Sequence, residues 1–342
     1  MSRIVVQSVS SNTNLSKEIT WERIRIRKTL DELCHYLEMY IPVSERDKIH
    51  KHDRLTVHYF NGAVSATASR NLVTTICVDE VCEKSEANHR SLTVIGRSPA
   101  RDLVDSTWSD TVQGKADLLT IVKTIGSKFG ITVEHIPAGG NTSQPVPSFS
   151  WENESPWTRL LTEADNQGFI ITSNEQGNIQ LINPVGWKVN NKFLLAEGKS
   201  LKHIQTIESG FEQFHEYIIK GADYETIAVD EQCPAGRVMT INLTDRSIDE
   251  AKLRRRAKTE MQRRRQNKVQ VMVTGWGPNN DHTLPYGNTH MEEVLWNPCS
   301  IVPLDIPNAG LSGNFLISQV DYYAETALVE STITLLKPEV YT

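Results

Sequence analysis

Long apolar runs are missing from the 342-residue sequence. A membrane-spanning helix needs about 20 consecutive apolar residues, and no segment approaches that length. The first residues, MSRIVVQSVSSNTN, also lack the apolar stretch and the cleavage pattern of a secretory signal. We therefore expect a protein that is not integral to a membrane and is not exported through the general secretory route.

Cysteine is scarce and scattered, with five residues in the whole chain. Only Cys77 and Cys82 stand close together, and the surrounding TTICVDEVC predicts one strand on which they point to opposite faces. Such a pair neither shares a metal ion nor forms a disulfide. Free, buried thiols in a reducing compartment are the favoured interpretation.

Patterns that signal catalysis or a bound cofactor are also missing. No GxSxG, HExxH, CxxC or GxGxxG pattern occurs, and LLAEGKS has Phe193 where a phosphate-binding loop requires its first glycine. His50 and His52 have no third ligand nearby, so surface histidines are favoured over a metal site. The Glu292-Glu293 pair, just ahead of Trp296, could line a sugar-binding cleft, but a solvated loop with one buried tryptophan is favoured. We expect no enzymatic activity, no cofactor, no metal and no small-molecule substrate.

The charge balance is mildly acidic but unevenly distributed. The net charge is −6, which argues against a general nucleic-acid binder. The segment 249–268 departs from this balance, with nine Lys and Arg against three acids, a local +6. The remainder then carries 27 basic against 39 acidic residues, or −12. Basic and acidic groups are therefore segregated, and this pattern is typical of docking between charged surfaces.

Short strands dominate the first hundred residues. Alternation places Leu37, Met39 and Ile41 on one face of a strand, and the segment Arg54–Phe60 repeats the pattern before an Asn-Gly turn. Five or more strands at this spacing, without a long helix, predict a small antiparallel barrel or sandwich.

The spacing of the apolar residues changes from alternation to a helical period after residue 97. Helical spacing covers 116–129, and Ser155-Pro156 predicts the start of a second helix that stops at Gly168. The segment FIITSNEQGNIQLI then predicts a hairpin, and strands return beyond residue 193. The expected fold is mainly β with an α+β part: two tube-like antiparallel β-barrels, 1–97 and 189–342, flank an α+β domain, 98–188. A charged helix, 249–266, is inserted in the second barrel.

The inserted helix is the most informative local feature. Leu253, Ala257 and Met261 recur every four residues and form a narrow apolar stripe that fits one contact line. Two arginine triplets lie about 2.5 turns apart and therefore spread around the helix. A solvated helix held by its stripe is favoured, a docking face for an acidic partner or neighbouring subunit is the alternative, and nucleic-acid contact is the third interpretation. The candidate interface residues are Arg254, Arg255, Arg256, Arg263, Arg264 and Arg265.

Several segments, in their order and spacing, resemble one family. They are VIGRSPARDLVD, ESPWTRLLTEADNQGFIITSNEQGNIQLINP, LLAEGKSLKHIQ, LRRRAKTEMQRRR and VPLDIPNAGLSGNFLISQVDYYAETALVESTITLLKP. Together they make the chain similar, over essentially its whole length, to the baseplate hub proteins of Mu-like contractile phage tails. This family, the tail hub or late control protein D superfamily, is also similar to the hub part of type VI secretion spike proteins.

The resemblance implies a structural virion protein of the tail baseplate, synthesised in the host cytoplasm. It implies a homotrimer whose six barrels form a ring that joins the hexameric tail tube to a trimeric central spike, in contact with other baseplate proteins during host cell entry. A cell-wall-degrading tail-tip enzyme is one alternative. The other is a hub component of a phage-derived secretion or non-contractile tail apparatus.

Overall fold

The computed structural model describes residues 3–10, 15–60, 71–86, 89–136, 143–184, 194–197, 201–243, 249–278 and 295–341. The Glu292-Glu293 pair and Phe193 lie outside these residues.

Strands make up most of the described chain, as the sequence predicts. They are β1 (Arg3–Val9), β2 (Ser16–Ile19), β3 (Arg23–Thr29), β4 (Tyr36–Ile41), β5 (Arg54–Phe60), β6 (Asn71–Glu86), β7 (His89–Arg97), β8 (Trp108–Val112), β9 (Val133–Ile136), β10 (Phe149–Glu154), β11 (Ile170–Ser173), β12 (Ile179–Ile182), β13 (Leu195–Ala196), β14 (Leu201–Ile207), β15 (Glu216–Lys220), β16 (Glu225–Val229), β17 (Val238–Asn242), β18 (Lys268–Thr274), β19 (Ile301–Ile306), β20 (Leu311–Glu325) and β21 (Leu328–Leu336). The α-helices are α1 (Arg101–Asp105), α2 (Leu118–Lys128), α3 (Pro156–Gln167) and α4 (Glu250–Arg264).

Thirteen strands from residues 3–97 and 195–336 form one hydrogen-bonded sheet. Its main path runs β14-β18-β21-β20-β3-β4-β7-β6-β5-β1-β2, and β19 joins β20 beside it. The two predicted β domains meet where β3 pairs antiparallel with β20, from Thr29 opposite Gln319 to Arg23 opposite Glu325. The division at residues 97 and 189 and the closure of each half into a barrel stay predictions.

The main core lies on one face of this sheet, because alternate residues of each strand point inward. In β4 the predicted inward residues Leu37, Met39 and Ile41 are all buried. Large aromatic side chains fill the centre. Tyr59 stacks on Trp276 with ring centroids 5.6 Å apart, and Trp276 lies 5.3 Å from the Tyr322 ring.

The middle of the chain forms a separate core of helices and short strands. Ser155 caps α3 by accepting a hydrogen bond from the Trp157 N–H, and Pro156 is the first helical residue. The helix ends at Gly168, whose φ of 75° is left-handed. These three features are the start and stop that the sequence predicts. Strand β12 pairs antiparallel with β11 in the predicted hairpin and parallel with β9.

A separate three-stranded sheet carries the inserted helix. Strands β16, β15 and β17 pair in that order, and α4 packs on one face. Their shared core includes Ile219, Leu243, Leu253 and Ala257. None of the helices in the described part of the chain is long and apolar enough to span a membrane.

Candidate partner interface

The inserted helix is held to the small sheet by half of its predicted stripe. Asp249 begins α4 by accepting a hydrogen bond from the Lys252 N–H. Leu253 and Ala257 are fully buried, as the four-residue spacing predicts. Met261 is only half-buried, and the Glu260 side chain is the buried group at that turn instead. The contact between α4 and the small sheet is therefore apolar in the first turns of the helix and polar at its C-terminal end.

Arg256 and Arg263 connect this helix to α3, in the middle of the chain. Arg256 lies 2.5 Å from one carboxylate oxygen of Asp165, and Arg263 lies 3.0 Å from the other. Burial lowers the pKa of the Arg256 guanidinium, and the neighbouring Glu260 carboxylate opposes that shift. Arg263 also lies over the Tyr341 ring, 5.0 Å from its centroid. These two arginines bind the chain's own carboxylate and aromatic groups.

Arg264 and Arg265 are also paired within the chain. Glu260 bridges two arginines, with Arg256 at 2.8 Å from one oxygen and Arg264 at 3.2 Å from the other. Arg265 lies 3.8 Å from the fully buried Asp230 carboxylate, at the end of β16. Arg264 is the last residue of the helix and Arg265 is its C-cap, and positive charge at this end is favourable for the helix dipole.

Three of the candidate residues, Arg254, Arg255 and Arg265, face solvent, and the first two pair with no buried carboxylate of the described residues. The Arg254 side chain is 70% exposed and pairs only with Glu250 on the same helix. Arg255 is exposed as a residue, and its guanidinium lies 3.4 Å from the Gln167 carbonyl oxygen. The six arginines thus do not form one patch, in agreement with their predicted spread around the helix.

The outer face of the small sheet carries several exposed apolar side chains among polar ones. Ile227 and Val229 of β16 and Val238 of β17 are each about half exposed, at 52%, 50% and 48%. The register places Ile227 beside Ile218, and it places Val229 and Val238 on either side of Glu216. Tyr224, 51% exposed, lies at the adjacent turn. We call Tyr224, Ile227, Val229 and Val238 the outer apolar patch. Exposed apolar side chains grouped on one face of a sheet, with polar residues among them, are typical of protein interfaces.

Sequence analysis did not identify this patch. The strand signal in ETIAV, residues 225–229, is its alternation of side chains, but alternation does not say which of two apolar sets faces the core. The choice is made by α4, which covers the Ala228 face and leaves Ile227 and Val229 outside.

Groups that hold metals or carry out catalysis do not come together in the residues that the structure describes. No set of three His, Cys, Asp or Glu side chains there is arranged to bind a metal ion. His50 lies at the surface, 3.6 Å from Asp53, and the described cysteines are free thiols. Trp296, the tryptophan next to the Glu292-Glu293 pair, is buried.

No protein-family model matches the sequence, and no curated protein matches it significantly. Solved structures do match, over nearly the whole chain. A 43 kDa tail protein of prophage MuSo2 from Shewanella oneidensis is 21% identical and superposes with a TM-score of 0.73, covering 99% of this chain and 98% of that one. A tail protein from Neisseria meningitidis is 15% identical, with a TM-score of 0.75 and the same coverage.

A type VI secretion component matches more distantly. The Escherichia coli c3393 protein, described as similar to the bacteriophage tail proteins gp27 and gp5, is 9% identical with a TM-score of 0.56. It covers 98% of this chain and 76% of that one. The chain therefore has the fold shared by prophage tail proteins and type VI secretion spike components. The resemblance seen in the sequence is confirmed by this fold, as is the mainly β class with an α+β part.

Proposed function

We propose that this chain is a structural protein of a phage tail: the baseplate hub of a contractile tail, located in the virion. The observation that carries the proposal is the match in both directions to two tail proteins, one of them from a prophage, each covered at 98% of its own length. A match of this coverage means that the three chains share one fold from end to end. The hub would join the tail tube to the central spike and contact other baseplate proteins.

The continuous sheet supports a role in transmitting mechanical force through the protein. Because β3 pairs with β20, the first and last thirds of the chain are joined by backbone hydrogen bonds and not by a flexible linker. Ion pairs reinforce the junction, with Arg23 at 3.1 Å from Glu325 and Arg25 at 3.1 Å from Asp321. A force applied to one half is transmitted directly to the other half.

The oligomer in this proposal is a homotrimer. Two β units per chain would give six in a ring, which matches the symmetry of a hexameric tube on one side and a trimeric spike on the other. Closed symmetric assembly also covers sheet edges that a lone subunit leaves open, such as the ends of the described path at β2 and β14.

The molar mass of the assembly tests this proposal. Size-exclusion chromatography with light scattering should give three times the 38.6 kDa chain mass, at least at high protein concentration. Added tail tube and spike proteins should then form a defined complex with the trimer. A chain that stays monomeric at every concentration and binds neither protein would contradict the proposal.

A hub in a phage-derived secretion apparatus is the second candidate. The observation that favours it is the fold match to the c3393 protein, a type VI secretion component. A Francisella PdpA-VgrG complex also matches with a TM-score of 0.58, and this chain covers 58% of that one. Purified particles decide between the two candidates: the chain should be found in particles with packaged DNA for a phage, and in particles without DNA for a secretion device.

A further inference from the structure

Lys28 is a buried lysine at the junction of three chain segments. It follows Ile24 and Ile26 on the inward face of β3, and its side chain is only 2% exposed. Its amine donates a hydrogen bond to the Asn297 side-chain oxygen at 2.9 Å. The Glu175 carboxylate, from the turn between β11 and β12, lies 3.7 Å away. A buried lysine thus contacts both an amide and an acid.

Burial makes the Lys28 amine a better nucleophile. Desolvation lowers its pKa to about 8, and the Glu175 carboxylate opposes that shift. The core aromatic Tyr322 covers one side, with the amine 5.6 Å from its ring centroid. A pKa near 8 leaves roughly a tenth of such amines neutral at pH 7, and only the neutral form can attack a carbonyl carbon.

The Asn297 amide lies next to the Lys28 amine. A carbonyl bond is about 1.23 Å long, so an amine 2.9 Å from the oxygen lies at most about 4.1 Å from the amide carbon. A shift of less than about 1 Å would bring the two atoms to the reacting distance of about 3–3.5 Å. The Tyr322 hydroxyl lies 3.3 Å from the same amide oxygen, and it donates its shorter hydrogen bond to the Trp296 carbonyl. Turning this O–H from Trp296 to Asn297 would stabilise the negative charge that develops on the amide oxygen during attack.

The turn that carries Asn297 is firmly held. Pro298 restricts the backbone, and Cys299 adopts a φ of 67°, a left-handed conformation that is costly outside glycine. The Cys299 N–H donates to the Ile317 carbonyl, and the Ile317 N–H donates to the Ser300 carbonyl, at 3.1 and 2.8 Å. The amide is therefore presented by a strained turn pinned to β20.

We propose that Lys28 and Asn297 form an intramolecular isopeptide bond, with Glu175 as the proton-transfer group. The neutral amine attacks the Asn297 amide carbon, and a bond forms between Lys28 Nζ and that carbon. Glu175 accepts the proton lost by the amine and delivers it to the leaving nitrogen. The carbon–nitrogen bond of the original amide breaks, and one ammonia molecule is released. No oxidant, reductant or metal is needed.

The bond would close a covalent loop between the first and last thirds of the chain. Its two ends are 269 residues apart in sequence. A covalent tie beside the β3–β20 pairing would prevent the two halves from separating under tension, even where hydrogen bonds open. This inference stands on the Lys28 site alone and does not depend on the proposed tail function.

Intact mass spectrometry of the denatured full-length chain tests the proposal. Loss of ammonia should lower the mass by about 17 Da relative to the sequence. A protease digest should contain one branched species in which the Lys28 peptide is joined to the Asn297 peptide. Lys28→Arg and Glu175→Gln should each restore the full sequence mass. Lys202→Arg, in the surface pair with Glu330, should keep the loss and serves as the matched control.

Two results would overturn the proposal. One is a wild-type chain with its full sequence mass both when freshly purified and after incubation at about pH 9, where most of the Lys28 amine is neutral. The cluster would then be an ion pair with hydrogen bonds only. The other is an ammonia loss that maps to a different residue, such as cyclisation at the Asn61-Gly62 sequence. Because the first measurement uses the wild-type chain, neither result depends on a variant that fails to fold.

Discussion

The Arg256 guanidinium of α4 and the Asp165 carboxylate of α3 form an ion pair at 2.5 Å, with side chains only 12% and 10% exposed. The pair connects the inserted helix to α3, in the middle of the chain. Arg263 shares the same carboxylate, and Glu260 shares the same guanidinium. A network of alternating charges therefore holds α4 in place, in addition to its small apolar contact line.

Removing one member of this network should destabilise the fold. Asp165→Asn leaves Arg256 and Arg263 without their common counter-charge, and breaking a buried pair costs about 3–5 kcal/mol. The free energy of unfolding from urea titration measures the loss. Glu250→Gln, which affects only the exposed partner of Arg254, should change it by less than about 0.5 kcal/mol. Equal losses in the two variants would show that the buried Asp165 pairs stabilise the fold no more than the exposed Glu250–Arg254 pair does.

His35 should make the free energy of unfolding fall as the pH drops below about 6.5. Its ring is buried between the Thr74 hydroxyl and the Ser173 carbonyl, and burial, with nearby Lys28, holds its pKa well below 6.5. The unfolded chain binds the proton more readily below pH 6.5, so stability falls as pH drops through that value. From pH 7.5 to pH 5.5 we expect a loss of about 1.4 kcal/mol from this group.

Denaturant titrations of the wild type and His35→Gln at the two pH values isolate that contribution, because other titrating groups affect both chains alike. The variant should lose less stability on acidification than the wild type. Parallel losses would mean that His35 keeps an ordinary pKa in the folded protein.

Gly177 should tolerate no side chain. It lies in the turn between β11 and β12 with a φ of 83°, and a Cβ there would lie 2.3 Å from the Pro99 ring. Gly177→Ala combines backbone strain with overpacking and should cost about 2–4 kcal/mol, measured as the free energy of unfolding. Gly210 is the matched control, because its surroundings are open and its φ is not positive. A nearly silent Gly177→Ala would show that this turn relaxes freely.

Local pattern predicted the strands well and their long-range partners poorly. Alternation at Leu37, Met39 and Ile41 is a property of one strand, so it appears in the sequence. The pairing of β3 with β20 joins residues about 300 apart, and no local period encodes which distant strand becomes the neighbour. The same limit hid the separate small sheet under α4.

A bulge overturned the prediction for Cys77 and Cys82. In the β6–β7 pairing, Cys77 lies opposite Arg97 and Cys82 opposite Thr93, with a register shift between Val78 and Glu80. Arg97 and Thr93 are four residues apart on β7 and share a face, so the two cysteines also share a face. The prediction of opposite faces was wrong because one extra residue reverses the alternation.

The outer apolar patch should take part in association of the chain with itself. Ile227→Lys should leave the free energy of unfolding within about 0.5 kcal/mol, because the side chain is already half exposed. If the patch lies in the trimer interface, the variant should weaken trimer formation about tenfold or more, since a central contact is worth over about 1 kcal/mol. Light scattering over a dilution series measures this. Leu15→Lys, a change at an equally exposed apolar residue outside the patch, should leave association unchanged.

The proposed docking role of the arginines now rests on Arg254 and Arg255, because the other four pair with buried carboxylates of their own chain, whereas the only carboxylate beside Arg254 in the described part of the chain is the exposed Glu250. Replacing both with Gln should leave the free energy of unfolding within about 0.5 kcal/mol, since exposed ion pairs contribute little. Elsewhere the chain carries −12, so a neighbouring subunit offers acidic surface for these two side chains. Assembly of the double variant should therefore be slower at low salt, and high salt should remove the difference, because added ions screen exposed charges beyond about 10 Å at 0.1 M.

Arg256→Gln should show the reverse pattern: a large loss of stability and no salt-dependent change in assembly rate under conditions where it remains folded. If the double variant assembles like the wild type at low and high salt, Arg254 and Arg255 are a solvated face of α4, and the helix acts only within its own chain.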